Sequence, residues 1–179
     1  MHRRAFVVLA SLLLLAPVAL AAQAEPVVVY VVRHAERADD VPNPGFSMGD
    51  TSDPPLSESG HARAQLIAEM LEDAGVTQVH STDYVRTRST GEATAEAAGL
   101  EIESYDTRNL PAFAARLRTL PGRHLVLGHS NTTPQMVEAL GGDPGTAIEP
   151  MEYDRFYIVT IARGTVSTVL LRFGEPFEG

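Results

Sequence analysis

The sequence predicts a three-layer α/β/α domain on a mostly parallel sheet, closed by an antiparallel hairpin at its C-terminal edge. Three observations carry that prediction. Strand-like and helix-like stretches alternate along the chain, which is the pattern of βαβ units with right-handed crossovers. The first run, Val27-Val28-Val29-Tyr30-Val31-Val32, holds five β-branched residues, as a strand covered on both faces does. The last two runs, Arg155–Ala162 and Thr165–Phe173, meet at Arg163-Gly164, where a hairpin turn fits.

Between these ends each element has a local reason. Residues 38–55 lack periodicity and carry four prolines, so they read as a long loop leaving the first strand. A helix is expected from Leu56-Ser57 to about Ala74, with Ser57 as N-cap, an apolar stripe of Ala62, Leu66, Ala68, Met70 and Leu71, and a stop at Gly75. Val76–His80 is a short strand. Tyr84–Ala98 is a helix ended by Gly99. Leu100–Tyr105 alternates apolar and charged residues, as a less buried strand does. Pro111–Leu120 is a helix with proline in its first turn, His124–Gly128 a strand, and Thr133–Leu140 a helix ended by Gly141-Gly142.

The first 24 residues read as an address. Met1-His2-Arg3-Arg4 is basic, and Ala5–Leu20 is apolar apart from Ser11 and Pro17. Ala22-Gln23-Ala24 fits a small-x-small cleavage site. A cleaved signal peptide over 1–24 leaves a domain over 25–179, exported to the periplasm or beyond, with no stable membrane span. A retained anchor is the alternative, although the run is short for one. There is no cysteine, which excludes disulfides, thiolate catalysis and cysteine metal sites. Net charge is −9, and removing Arg3 and Arg4 makes it −11, which disfavours nucleic acid as a partner. An anionic substrate then needs locally clustered arginines. Oligomeric state leaves no trace in the sequence.

Three places could hold such chemistry. Arg33-His34 ends the first strand, and ligands of open α/β sheets sit just beyond such ends. A neutral imidazole can attack phosphorus, and a guanidinium beside it matches phosphoryl oxygens. Arg86 lies in the first turns of the helix after His80-Ser81-Thr82-Asp83, where free N–H groups favour anions. His129, in Gly128-His129-Ser130-Asn131-Thr132, repeats the strand-to-helix setting of His34. Arg88, His61, His80 and His124 lack such a setting and read as surface or structural residues.

These segments together resemble the histidine phosphatase superfamily, of phosphoglycerate mutase-like fold. Arg33-His34 matches the Arg-His-Gly motif, with Ala35 in place of glycine, and the Arg-His-Ala-Glu form is similar to a group of small bacterial members. Asp53-Pro54-Pro55-Leu56-Ser57-Glu58-Ser59-Gly60 resembles the segment entering the first helix. Residues 81–94 resemble the segment carrying a second clamping arginine, here Arg86. Gly128-His129-Ser130-Asn131-Thr132 resembles the segment carrying the second histidine.

The resemblance implies a phosphatase that works through a phosphohistidine on His34. Arg33, Arg86 and a protonated His129 would hold the equatorial oxygens, with Asn131 on the substrate side and Arg37 as an extra clamp. No metal or cofactor is implied. The proton donor stays open between Asp106 and Glu36. The substrate would be a small phosphomonoester or an envelope glycan phosphate, its pocket walled by residues 38–55 and 106–115. A protein phosphohistidine phosphatase, a non-catalytic anion-binding module of the same fold and a metal hydrolase built on His34, His129 and Glu36 are the alternatives. A mutase fits export poorly.

Overall fold

Val27–Arg33 forms β1 near the centre of a six-stranded sheet. The computed structural model describes residues 25–40 and 53–179. The signal-like segment 1–24 and residues 41–52 of the expected long loop lie outside the described residues. The remaining strands are β2 (Gln78–Ser81), β3 (Ile102–Ser104), β4 (Gly122–Gly128), β5 (Arg155–Ala162) and β6 (Thr165–Arg172). The helices are α1 (Glu58–Leu71), α2 (Val85–Ala98), α3 (Leu110–Leu117) and α4 (Thr132–Ala139). The order across the sheet is β3-β2-β4-β1-β5-β6. The first four strands run parallel, and β5 and β6 are antiparallel.

Alternation along β1 builds two cores. Val27, Val29 and Val31 pack with Phe113, Leu117, Met136 and Val137 of α3 and α4. Tyr30 and Val32 pack on the other face with Ile67 and Leu71 of α1 and Ala95 of α2. Two helices on each face make the three layers. Gly91 on α2 lets that helix approach β4 closely, since a Cβ there would lie 2.4 Å from Leu127 Cδ1. The closing hairpin turns at Arg163 and Gly164, with φ of 52° and 78°, as a two-residue turn with both residues left-handed requires.

Register sets the position of the site. Arg33 of β1 faces Gly128 of β4, and the His34 N–H extends that ladder to Gly128 O at 2.8 Å. His34 and His129 therefore leave the sheet side by side. The stem of the 38–55 loop is pinned beside them. Ala38 N–H donates to Pro55 O at 2.9 Å, and Ser57 N–H donates to Glu36 O at 3.0 Å.

Ser57 does cap α1, accepting from Gly60 N–H at 3.0 Å. The buried face of α1 differs from the expected stripe. Gly60, Arg63, Ala64, Ile67, Ala68 and Leu71 are buried, whereas Ala62 and Met70 are exposed. The reason is Arg63, whose guanidinium reaches inward to Glu36 and to the carbonyl of Phe173. Apolar periodicity gave no hint of a buried arginine. The helix also stops at Leu71, short of Ala74, and α3 begins at Leu110 after a 3-10 turn over Thr107–Asn109.

His80 and His124 are structural and fully buried. Their rings stack at 5.6 Å, and His124 Nε2–H donates to Leu120 O at 3.0 Å. Burial pushes His80 down to about 4, against the pull of Glu103, and it also lowers His124. The folded chain therefore binds fewer protons than the unfolded chain between about pH 6.5 and pH 4. Stability from His80 is fully present above that window and falls as pH drops through it, by about 1.4 kcal/mol per pH unit, and His124 acts in the same direction. Urea unfolding at pH 7.5 and pH 4.5 is expected to show a clear loss at the lower pH, made smaller by His80→Gln. Equal midpoints at the two pH values would contradict the assignment of neutral, buried rings.

Candidate active site

The ends of β1, β2 and β4 converge on one spot. His34 follows β1 and is 3% exposed, and its Nδ1 lies 2.8 Å from Ala35 O. A carbonyl only accepts, so Nδ1 carries the hydrogen and Nε2 keeps its lone pair. Burial lowers His34 to about 3, and the charges of Arg33 and Arg86 add to the effect. The ring is thus a neutral imidazole with a fixed tautomer. Ala35, in place of the usual glycine, is fully buried against Leu56 and Ala64, and its N–H donates to Thr90 Oγ1 at 3.0 Å. A methyl group is accommodated there because α1 presents alanine at that contact.

Arg86 projects from the first turn of α2. Its Nε donates to His34 Nε2 at 3.3 Å, and its Nη1 donates to Asp53 Oδ1 at 3.1 Å. Its guanidinium lies 4.3 Å from the centre of the Tyr84 ring. His129 follows β4 with its ring centre 5.3 Å from that of His34, and its Nε2 is 3.1 Å from Thr82 Oγ1. Burial lowers His129 to about 4, helped by Arg86 and Arg33 and opposed by Asp53. Burial and the two guanidinium charges therefore favour the neutral ring of His129. A bound phosphoryl group would supply the negative charge that favours its protonation.

Arg33 is gripped from behind. Nη1 donates to the carbonyls of Glu149 (3.0 Å) and Glu152 (2.9 Å), and Nη2 donates to Pro150 O (2.7 Å). The Tyr153 ring lies 3.9 Å from Cζ and also packs against His34. Only Nε of this buried side chain has no partner. Arg33 is therefore fixed in place by backbone carbonyls rather than left as a free fork.

The four principal residues are thus brought together, and the other candidates are not. Arg37 pairs with Asp39 (2.8 Å) and Asp40 (3.2 Å), which corrects its role as an extra clamp: its charge is spent in its own turn. Asn131 is exposed at the start of α4 and lines a groove of about 360 Å³ with Ser130, Thr146 and Ile148. Glu36 points to α1, where both its oxygens accept from Arg63 Nε at 2.9 and 3.0 Å. Both oxygens are thus engaged by Arg63. Asp106 is exposed and bound by Arg108 through Nε and Nη2. Arg108 holds it down to about 2, which is the reverse of what a proton donor needs.

Sequence reasoning missed Asp53, Thr82, Tyr153 and the 149–152 turn. Asp53 and Thr82 sat inside quoted motifs without a role. Tyr153 and the turn carried no pattern, because they act from more than a hundred residues away. Among the described residues no three His, Asp or Glu side chains converge in a way that could hold a metal ion.

Residues 29–108 match the family model for the histidine phosphatase superfamily, branch 1. A protein named probable phosphoglycerate mutase from Serratia proteamaculans is 38% identical over 74 residues, 41% of this chain and 33% of that protein. Its namesake from Yersinia enterocolitica is 30% identical over 114 residues, 64% of this chain and 51% of that protein. The match thus spans a third to a half of the length of these curated relatives. The fold is shared with the protein histidine phosphatase SixA complexed with tungstate, at TM-score 0.64 and 19% identity, over 81% of this chain and 96% of that one. It is also shared with a mycobacterial glucosyl-3-phosphoglycerate phosphatase complexed with VO3, at TM-score 0.59 and 14% identity, over 84% and 99% of the two chains.

Proposed function

From the match of residues 29–108 to the histidine phosphatase superfamily, we propose that the chain is a member of that family and hydrolyses a phosphomonoester through a phosphohistidine on His34. The observation that carries this reading is the Nε2 lone pair of His34, held by the Nδ1–H bond to Ala35 O and lying 3.3 Å from Arg86 Nε. A phosphoryl group seated there meets Arg86 and the ring of His129, with the Arg33 charge close enough to act on both histidines. Charge develops on the equatorial oxygens during transfer, and these groups stabilise it where it forms. His34 attacks in line, the ester oxygen departs, and water then releases phosphate. The arginines and His129 supply the positive charge, so the reaction asks for no metal.

The relatives' names divide between mutase and phosphatase, and the signal-like residues 1–24 favour the latter. A mutase must retain a phosphorylated cofactor drawn from a metabolite pool, and an exported domain is separated from that pool. We therefore place the activity in the cell envelope, on a small phosphorylated substrate or a glycan phosphate. A groove of about 390 Å³ beside the site, lined by Thr82, Asp83, Tyr84, Tyr105 and Asp106, can take the organic portion. Among the described residues no helix is long and apolar enough to cross a membrane.

The test is hydrolysis of p-nitrophenyl phosphate by residues 25–179, with and without EDTA. Turnover that survives the chelator is expected. Turnover abolished by it would point to metal-dependent hydrolysis, and phosphate binding without turnover to a binding module.

A further inference from the structure

An alkyl phosphoester needs a proton at its departing oxygen, and Glu36 and Asp106 are both engaged elsewhere. The structure assigns that proton to Asp53, an assignment that rests on the phosphatase reading above. Asp53 Oδ1 accepts from Arg86 Nη1 at 3.1 Å, and Oδ2 accepts from Val85 N–H at 2.9 Å. Among the described residues it is the one carboxylate hydrogen-bonded to any of Arg33, His34, Arg86 and His129. Arg86 Nε reaches His34 Nε2 at 3.3 Å, so a single guanidinium separates the nucleophile from the carboxylate. A phosphoryl group held on Arg86 has His34 on one flank and Asp53 on the other. In-line transfer places the attacking atom and the departing oxygen on opposite sides of phosphorus. Asp53 is accordingly assigned the departing side, across Arg86 from His34.

The proton follows from charge. Asp53 accepts one N–H at each carboxylate oxygen. A phosphoryl group brings negative charge beside Asp53 and takes Arg86 for itself, and both changes favour the carboxyl form. The side chain is 31% exposed, so a proton can come from solvent or from the substrate monoanion. In the first step the His34 Nε2–P bond forms, the P–O bond breaks, and the departing oxygen takes the Asp53 proton and leaves as alcohol. In the second, water gives one proton to Asp53 while its oxygen bonds to phosphorus. The Nε2–P bond breaks, its electron pair returns to nitrogen, and phosphate leaves.

The experiment is kcat/KM, which reports the first step, for a series from p-nitrophenyl through phenyl and benzyl to methyl phosphate. Wild type and Asp53→Asn are compared, since asparagine keeps an acceptor for Val85 N–H. Wild type is expected to depend weakly on leaving-group pKa, because the departing oxygen is protonated. Asp53→Asn is expected to lose about a hundredfold more on methyl phosphate than on p-nitrophenyl phosphate. Equal losses on both, or no loss, would overturn the assignment and leave Asp53 an orienter of Arg86. Should the variant fail to fold, a steep leaving-group dependence in wild type overturns it alone. Wild type inactive on every ester overturns the phosphatase reading itself.

Discussion

Replacing His34 by alanine is expected to lower kcat on any phosphomonoester by at least about a thousandfold. His34 holds the imidazole whose Nε2 lone pair faces Arg86, and water has no comparable way to form a covalent intermediate there. The effect should fall on chemistry rather than on the fold. The ring's hydrogen bonds are to its neighbour's carbonyl and from Arg86 at 3.3 Å, neither of which ties layers of the sheet together, and its ring contacts are with His129 and Tyr153 within the site. Circular dichroism and the urea midpoint should therefore stay close to wild type while turnover vanishes. His34→Ala turning over within tenfold of wild type would remove the nucleophile from the account.

The second large effect lies outside the reacting atoms. Arg155→Met is expected to cost about 3–5 kcal/mol of stability, because it leaves a buried carboxylate without its main partner. Glu152 is 2% exposed and Arg155 4%. Glu152 accepts from Arg155 Nε at 2.6 Å and Nη2 at 3.0 Å, and from Glu149 N–H at 2.9 Å. Burial pushes the Glu152 carboxyl up, but Arg155, the Glu149 N–H and Arg172 outweigh it and hold it down to about 2. Arg155 also donates to Thr146 O, Ala147 O and Tyr157 Oη, lacing the 144–152 segment to β5. Set against a total of about 5–15 kcal/mol for a typical domain, such a loss is severe. It reaches the site as well, since the carbonyls of 149, 150 and 152 aim Arg33. The surviving folded fraction should show lower kcat/KM per molecule. Urea titration with intrinsic tyrosine fluorescence measures the first effect. A loss under about 1 kcal/mol would mean the cluster contributes little. Arg155→Lys should rescue poorly, because one ammonium cannot reproduce the fork that meets Glu152, Thr146 and Ala147 together.

Much of this was legible locally. A run of valines, a proline in a first turn and glycines after helices are short-range signals, and β1, α2, α4 and the closing hairpin followed from them. The four principal site residues were legible because each stands at a strand end or helix start, and parallel topology gathers such places. The remainder depended on partners distant in sequence. Arg63 fell outside the expected apolar stripe, and its burial is explained by Glu36 and the Phe173 carbonyl. Glu36 looked available for chemistry until Arg63 claimed it. Arg37 sits at a motif-like spacing but faces Asp39 and Asp40. Asp53 stood in plain view in its motif, yet its importance comes from Arg86, thirty-three residues on. No periodicity encodes a turn whose backbone carbonyls hold an arginine from β1.

The measurement that bears most directly on the central claim is the site of covalent phosphorylation. The protein would be mixed with p-nitrophenyl phosphate, quenched in alkali, digested and sequenced by mass spectrometry. A single alkali-stable, acid-labile phosphoryl group on His34, absent from His34→Ala, is the predicted result. A phosphoryl group on another residue, or turnover with none trapped on His34 at any quench time, would contradict it.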